Sequence, residues 1–245
     1  MIFHHFLNGL FPKTCCLCNK DLKHEFKTNN KQLNRLCEKC RFELLQVSGL
    51  KRFYIKMPAL LEQQKIGQCF YFWNFEDAVE SLIKKYKYAR YYRLADLFAE
   101  FAFFCLRNHN ILEPDKLDTW GKLETWDFIS PVPSAPSSIR QKRFNHTQML
   151  TNAISKKLGL PVCSSALTAT RERKNQSELK KTARIRNIRG AFAASKEQVT
   201  KKKILLVDDI TTTGATIAES CKTLYRAGAW QVDVLTLAKR ELYEI

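Results

Sequence analysis

A chain of 245 residues, 45% of them hydrophobic and 27% charged, is long enough for a sizeable buried core and too apolar to be disordered throughout. No apolar run reaches the roughly 18 residues that a membrane-spanning helix needs. The net charge of +17 favours polyanionic partners, whether nucleic acid, phosphorylated small molecules or anionic lipid.

The chain opens on an apolar, aromatic stretch, Met1 to Phe11. It lacks the basic start and small-residue cleavage site of a signal peptide. Phe3, Phe6, Leu7, Leu10 and Phe11 share one helical face, expected to pack on the protein itself, with a peripheral membrane contact as the alternative. Of the nine cysteines, five fall within residues 15–40. Cys15 and Cys18 form one C-x₂-C knuckle, and Cys37 and Cys40 form a second after an eighteen-residue interval. Each knuckle turns two thiolates toward one ion, and the interval lets the second close a tetrahedron, so a structural zinc is expected on Cys15, Cys18, Cys37 and Cys40. Cys16 is the alternative to Cys15, and His24 is a weaker rival ligand. The other four cysteines sit singly in apolar surroundings, a usage that fits a reducing, cytoplasmic compartment.

Val79, Leu82, Ile83 and Tyr86 recur at helical spacing, as do Leu94, Leu97, Phe98, Phe101 and Cys105. Between them runs a basic stretch with interleaved tyrosines, including Lys84, Lys85, Lys87, Arg90 and Arg93. Such a stretch suits a phosphate backbone with stacked bases, and equally a solvated helix face. Residues 107–125 read as a connecting loop.

From Trp126 to Ile129 a short buried strand is expected, and Ser130 to Ser134 is expected to be a turn, because proline cannot continue a ladder. A helix follows with Met149, Leu150, Ala153, Ile154 and Leu158 on one face, ending at Gly159. Lys203 to Val207 is a second buried strand. It leads through Asp208 and Asp209 into Ile210-Thr211-Thr212-Thr213-Gly214-Ala215-Thr216 and a helix carrying Ile217, Cys221, Leu224 and Tyr225 inward. Trp230 to Ala238 is a third strand. Strand, helix and strand in that order make a βαβ unit and a parallel sheet, whose ligands bind at the carboxyl ends of strands. There, amides at a helix start, with the hydroxyls of Thr212, Thr213 and Thr216 beside them, cradle a phosphate. The paired carboxylates of Asp208 and Asp209 suit the vicinal hydroxyls of a ribose. The dinucleotide and P-loop glycine patterns are absent.

Residues 204–216 resemble the signature of type I phosphoribosyltransferases. The wider order of motifs resembles the ComF (ComFC) family of competence and DNA-uptake proteins. That order runs from Leu10-Phe11-Pro12 and the two knuckles, through Ile83-Lys84-Lys85-Tyr86, Pro131-Val132-Pro133 and Arg143-Phe144-Asn145, to Arg171, Arg173, Gln176, Leu179, Arg184, Asn187, Gly190 and Phe192. The family usually has glycine where Arg143 stands and glutamine where His146 stands. The resemblance implies that Asp208 and Asp209 hold ribose hydroxyls and that Thr212, Thr213, Gly214, Ala215 and Thr216 bind a 5-phosphate. It also implies that Pro133, Ser134 and Ala135 take the pyrophosphate-loop position, with magnesium arriving on phosphoribosyl pyrophosphate. A mobile catalytic loop is implied between Arg171 and Arg189, a segment with eight Lys or Arg against two Glu.

Three segments are therefore expected: a zinc module over 1–50, a helical linker or hood over 51–125, and an α/β phosphoribosyltransferase-like domain over 126–245. The expected function is cytoplasmic handling of imported single-stranded DNA, with phosphoribosyl pyrophosphate as ligand. The expected phosphate or DNA contacts are Lys84, Lys85, Lys87, Arg143, Arg171, Arg173, Lys174 and Arg184. The zinc module is a candidate dock for a DNA-uptake helicase or recombination protein. The alternative is a phosphoribosyltransferase with an unidentified nitrogenous acceptor. No general base adjoins the loop in sequence, and His146 is the histidine that could reach it in space.

Overall fold

The structure, a computed structural model, describes residues 14–22, 32–52, 66–88, 91–109, 111–112, 125–135, 145–170 and 188–240. The apolar face before Phe11, His24, Arg90, Arg143, Arg171, Arg173, Lys174 and Arg184 lie outside them. Among the described residues there are seven strands: β1 (Lys51–Arg52), β2 (Ile66–Asn74), β3 (Phe128–Pro131), β4 (Leu167–Ala169), β5 (Phe192–Ala194), β6 (Lys203–Thr211) and β7 (Gln231–Lys239). The helices are α1 (Glu38–Val47), α2 (Asp77–Tyr88), α3 (Leu94–Asn108), α4 (His146–Leu158), α5 (Lys196–Val199) and α6 (Ala215–Arg226), with a short 3₁₀ turn at Leu33–Arg35.

The central sheet has five strands in the order β1-β2-β7-β6-β3. Strands β2, β7, β6 and β3 run parallel, and β1 closes one edge antiparallel to β2. Ile204 to Val207 are all buried, as expected where helices cover both faces of a parallel sheet. On one face, Phe70, Phe72, Leu205, Val207, Leu235 and Leu237 pack with α2, α3, α4 and the cysteine module. On the other, Tyr71, Ile204, Leu206, Val232 and Val234 pack with α6 and the two-stranded β4–β5 ribbon. The expected inward residues of α2, α3 and α6 are buried, and so are Leu150, Ala153, Ile154 and Leu158 of α4, which stops at Gly159 in the left-handed conformation.

Two boundaries differ from expectation. Strand β3 continues through Ser130 and Pro131, which pair with Leu206 and Val207. Ile129 turns its N–H and carbonyl away from β6, toward Pro161 and Cys163, while the Val132 N–H reaches the Val207 carbonyl. Pro131 shares the orientation of Ile129, so its missing N–H falls on the side away from β6 and breaks no bond to it. Strand β6 continues to Thr211 because β7 is equally long and pairs with it through Thr211↔Lys239. Asp208 and Asp209 thus lie within the ladder rather than beyond it.

Strand β2 has no counterpart in the sequence-based expectations. It pairs with β7 across a register shift between Ile66 and Cys69. A Cβ on Gly67 would collide with the Val232 carbonyl and the Asp233 carboxylate. Both are fixed: Val232 N–H is held by the Tyr225 hydroxyl at 2.9 Å, and Asp233 accepts from Trp126 Nε1 at 2.7 Å. Gly67→Ala is therefore expected to destabilise the fold by about 3 kcal/mol, the upper end of overpacking costs, as a lowered urea midpoint. An unchanged midpoint would contradict the close approach.

Candidate functional site

The cysteine module forms around two short turns. In the first, Cys15 N–H donates to the Lys20 carbonyl at 2.7 Å and Asn19 N–H to the Cys15 carbonyl at 2.9 Å. Asn19 takes the left-handed conformation (φ 64°), which asparagine tolerates better than most residues. The second knuckle is the start of α1: Cys37 caps the helix and Cys40 lies in its first turn. Anionic sulfurs at a helix N-terminus are favoured by the dipole. The sulfurs of Cys15, Cys18, Cys37 and Cys40 lie within 4.8 Å of one another, with Cys18 and Cys37 3.6 Å apart. A zinc tetrahedron with bonds of about 2.3 Å has edges of about 3.8 Å, so the cluster fits the ion with small adjustment. Cys16 is outside the cluster. Its N–H is tied to the Arg35 carbonyl at 2.9 Å, and burial pushes its thiol up to about 12.

The second site is at the carboxyl ends of β6 and β3. After Thr211, residues Thr212, Thr213 and Gly214 bend into α6. Gly214 has φ 72° and ψ −1°, a left-handed conformation that a side chain would strain. The Thr213 hydroxyl accepts from Ala215 N–H at 3.3 Å, and the Gly214 carbonyl accepts the α6 bond from Ala218 at 2.8 Å. The first amides of an α-helix have no carbonyl partner within the helix, the arrangement that suits an anion. Beside it, Pro133, Ser134 and Ala135 follow β3 and are half-buried. Ser134 Oγ lies 3.4 Å from Asn145 Oδ1, which caps α4 by accepting from Gln148 N–H at 3.1 Å. The two segments thus leave neighbouring parallel strands at the same end of the sheet.

The two aspartates have different surroundings. Asp208 is half-buried, and its Oδ1 accepts from Asp209 N–H at 2.9 Å. Asp209 is only 4% exposed. Its Oδ1 accepts from Ile210 N–H at 2.6 Å and lies 2.9 Å from Lys87 Nζ, and its Oδ2 lies 2.7 Å from His146 Nε2. Burial pushes the Asp209 carboxyl upward, but Lys87 and His146 outweigh it and hold the group well below the usual carboxylate range. The sequence gives no direct sign of this cluster, since its members come from α2, α4 and β6.

The basic stretch of α2 is used largely within the molecule. Lys84 pairs with Glu80 at 3.0 Å, Lys85 donates to the Leu17 carbonyl at 2.7 Å, and Lys87 meets Asp209. Tyr86 is buried, whereas Tyr88, Tyr91, Tyr92 and Arg93 are exposed.

Residues 148–244 match the phosphoribosyl transferase domain family. The chain is 24% identical over 168 residues to Competence protein F of Haemophilus influenzae, covering 68% of this chain and 70% of that protein. It is 33% identical over 117 residues to DNA utilization protein YhgH of Escherichia coli K12, covering 48% of this chain and 51% of that protein. The likeness to these two proteins supports the ComF resemblance read from the sequence, and residues 148–244 support a phosphoribosyltransferase domain. The matched residues run from α4 through β7 and contain Asp208 to Thr216, while the cysteine module lies outside them. The match to YhgH spans about half of that relative's length. A phosphoribosyltransferase from Corynebacterium diphtheriae superposes loosely, with TM-score 0.34 and 16% identity over 66% of this chain and 85% of that one. Among the described residues, no helix is long and apolar enough to cross a membrane.

Proposed function

We propose that this protein binds magnesium phosphoribosyl pyrophosphate at the β6–α6 loop and single-stranded DNA on its basic surface, in the cytoplasmic handling of imported DNA. The observation that carries the reading is the pair of segments that leave the carboxyl ends of β3 and β6 side by side, with Gly214 opening α6 and Asp208 in the strand before it. The amides and hydroxyls of Thr212 to Thr216 take the 5-phosphate. Pro133 to Ala135 face the pyrophosphate, and Asp208 accepts from the ribose hydroxyls. Asp209 supports the site from beneath, because its oxygens already have Lys87, His146 and Ile210 as partners. Magnesium, carried on the pyrophosphate, neutralises its charge.

The DNA part of the reading is supported by the net charge of +17, the exposed Tyr88, Tyr91, Tyr92 and Arg93, and the names of the relatives. Exposed tyrosines stack bases and cations follow phosphates. Arg171, Arg173, Lys174, Arg184 and Arg143 are proposed as further phosphate contacts, and the cysteine module as the dock for a helicase or recombination partner. The matched transferase domain favours one second reading, transfer of the phosphoribosyl group to a nitrogenous acceptor with release of pyrophosphate.

The test is a titration of single-stranded DNA at physiological salt, with and without magnesium phosphoribosyl pyrophosphate, alongside calorimetry of the small ligand. DNA binding that weakens steeply with salt and responds to the ligand is expected. Asp208→Asn is expected to weaken the small ligand about tenfold or more, the scale of a lost charge-assisted hydrogen bond. Weak DNA binding together with steady pyrophosphate release in the presence of an acceptor would move the conclusion to the transferase. Absence of small-ligand binding would remove the site assignment.

A further inference from the structure

Three consecutive residues of α2 reach three separate parts of the molecule. Lys85 Nζ donates to the Cys16 carbonyl at 3.1 Å and the Leu17 carbonyl at 2.7 Å, and lies 3.4 Å from Asn19 Oδ1. All three acceptors belong to the first knuckle. The Tyr86 hydroxyl donates to the His146 carbonyl at the first residue of α4, at 2.5 Å. Lys87 Nζ meets Asp209 at 2.9 Å, two residues before the end of β6. One turn of helix thus joins the cysteine module, the start of α4 next to the Asn145 that meets Ser134, and the strand that feeds the phosphate loop.

We propose that metal occupancy of the cysteine module sets ligand affinity at the β6–α6 loop, with Lys85, Tyr86 and Lys87 as the positioning residues that link the two sites. The proposal rests on the phosphoribosyl reading for the identity of the ligand, but not for the existence of the link.

The argument starts at the knuckle. Between Cys15 and Cys18 the chain folds round the position of the ion, and this fold brings the carbonyls of Cys16 and Leu17 together on one ammonium. A zinc ion held by four thiolates also carries a net charge of about −2, which favours a cation alongside. With the metal gone, the sulfurs lose the bonds that close the turn, and Lys85 loses both its convergent acceptors and the anionic centre. Helix α2 then loses an anchor at its C-terminal turn, where Lys87 has to hold the buried Asp209 carboxylate. Packed cores respond to such a change by shifting between discrete arrangements rather than by absorbing it locally. Elements α4 and β6 both bear on the proposed ligand site: β6 leads into the phosphate loop, and Asn145, the N-cap of α4, lies 3.4 Å from Ser134 Oγ. Linkage makes the effect reciprocal: a ligand that favours the ordered loop also favours retention of the metal.

The test uses the full zinc-loaded chain as wild type, Lys85→Met and Lys85→Arg. Zinc release to a chromophoric chelator is timed with and without magnesium phosphoribosyl pyrophosphate, and amide exchange is followed over residues 210–216. For wild type, the ligand is expected to slow zinc release about fivefold or more, the lower bound of ordinary coupling between sites. Lys85→Met is expected to bind one zinc, release it faster, lose the ligand effect and exchange faster over 210–216. Lys85→Arg, which keeps the cation, is expected to recover part of each. Should Lys85→Met fold poorly, wild type stripped of zinc supplies the same exchange comparison. Calorimetry on wild type separates the two ideas. If the ligand binds and zinc release is unchanged, the link is overturned. If the ligand does not bind, the phosphoribosyl reading fails, and exchange over 210–216 decides the link: faster exchange on zinc removal supports it, and unchanged exchange overturns it.

Discussion

Cys40→Ser is expected to cost the protein its metal and the folded state of residues 14–47. The module is small, and the buried residues it contributes to the core are mainly the cysteines themselves, with Leu36 and Leu44. Its order depends on four sulfurs within 4.8 Å of one another. Structural zinc contributes about 10–16 kcal/mol to the folding of comparable small modules, far more than so few apolar side chains supply. Metal analysis should fall from one zinc per chain to well below one, and limited proteolysis should begin within 14–47. Cys16→Ser is the matched control: this residue is also buried but is not among the four clustered sulfurs, so it should keep the metal. Wild type purified without added zinc and carrying far less than one ion per chain would sink the assignment, and so would a protease-resistant Cys40→Ser.

The second large effect is expected at Asp209. Asp209→Ala leaves the Lys87 ammonium and the buried His146 facing a space where the carboxylate stood. Removing one member of a buried charged cluster costs about 3–5 kcal/mol, because the remaining charge stays desolvated and unpaired. A urea titration should show the loss, and Lys87→Met combined with Asp209→Ala should recover part of it. The pH dependence follows from the sign of the shift. The Asp209 carboxyl is held below its unfolded value of about 3.9. Its stabilisation is therefore complete above the unfolded value and is lost as the pH falls below about 4. The variant should lack this acid component. An Asp209→Ala protein as stable as wild type at pH 7 would show that the cluster carries no net stabilisation.

Features whose cause is local could be read from the sequence. The knuckles are defined by spacing, the inward faces of α2, α3, α4 and α6 by a period of 3.6, and the β6–α6 loop by its threonines and Gly214. Strand β2 escaped because Cys69 to Trp73 are buried on both faces, so no alternation distinguishes them from a buried helical segment. The run of aromatics was the available signal. Pro131 misled because its effect on a ladder depends on which edge its nitrogen faces, and that is set by β6 and Pro161. The sequence names His146 as the histidine able to reach the loop, but not the Lys87–Asp209–His146 cluster, since only the folded chain brings α2, α4 and β6 to one point. For the same reason, Asp208 and Asp209 look equivalent in sequence and differ in the structure.

The strand order has a consequence for how the protein is made. Strand β7, the last described in the chain, lies between β2 and β6, and Gln68 bonds to Asp233, 165 residues further on. A nascent chain that has not yet delivered β7 has nothing to join β2 to β6, and both strands present open edges. Closure of the sheet therefore waits until nearly the whole described chain has left the ribosome. The long loop it closes makes that step slow relative to helix formation. The aromatic residues of α2 and α3 are thus synthesised well before the sheet they pack against can be complete.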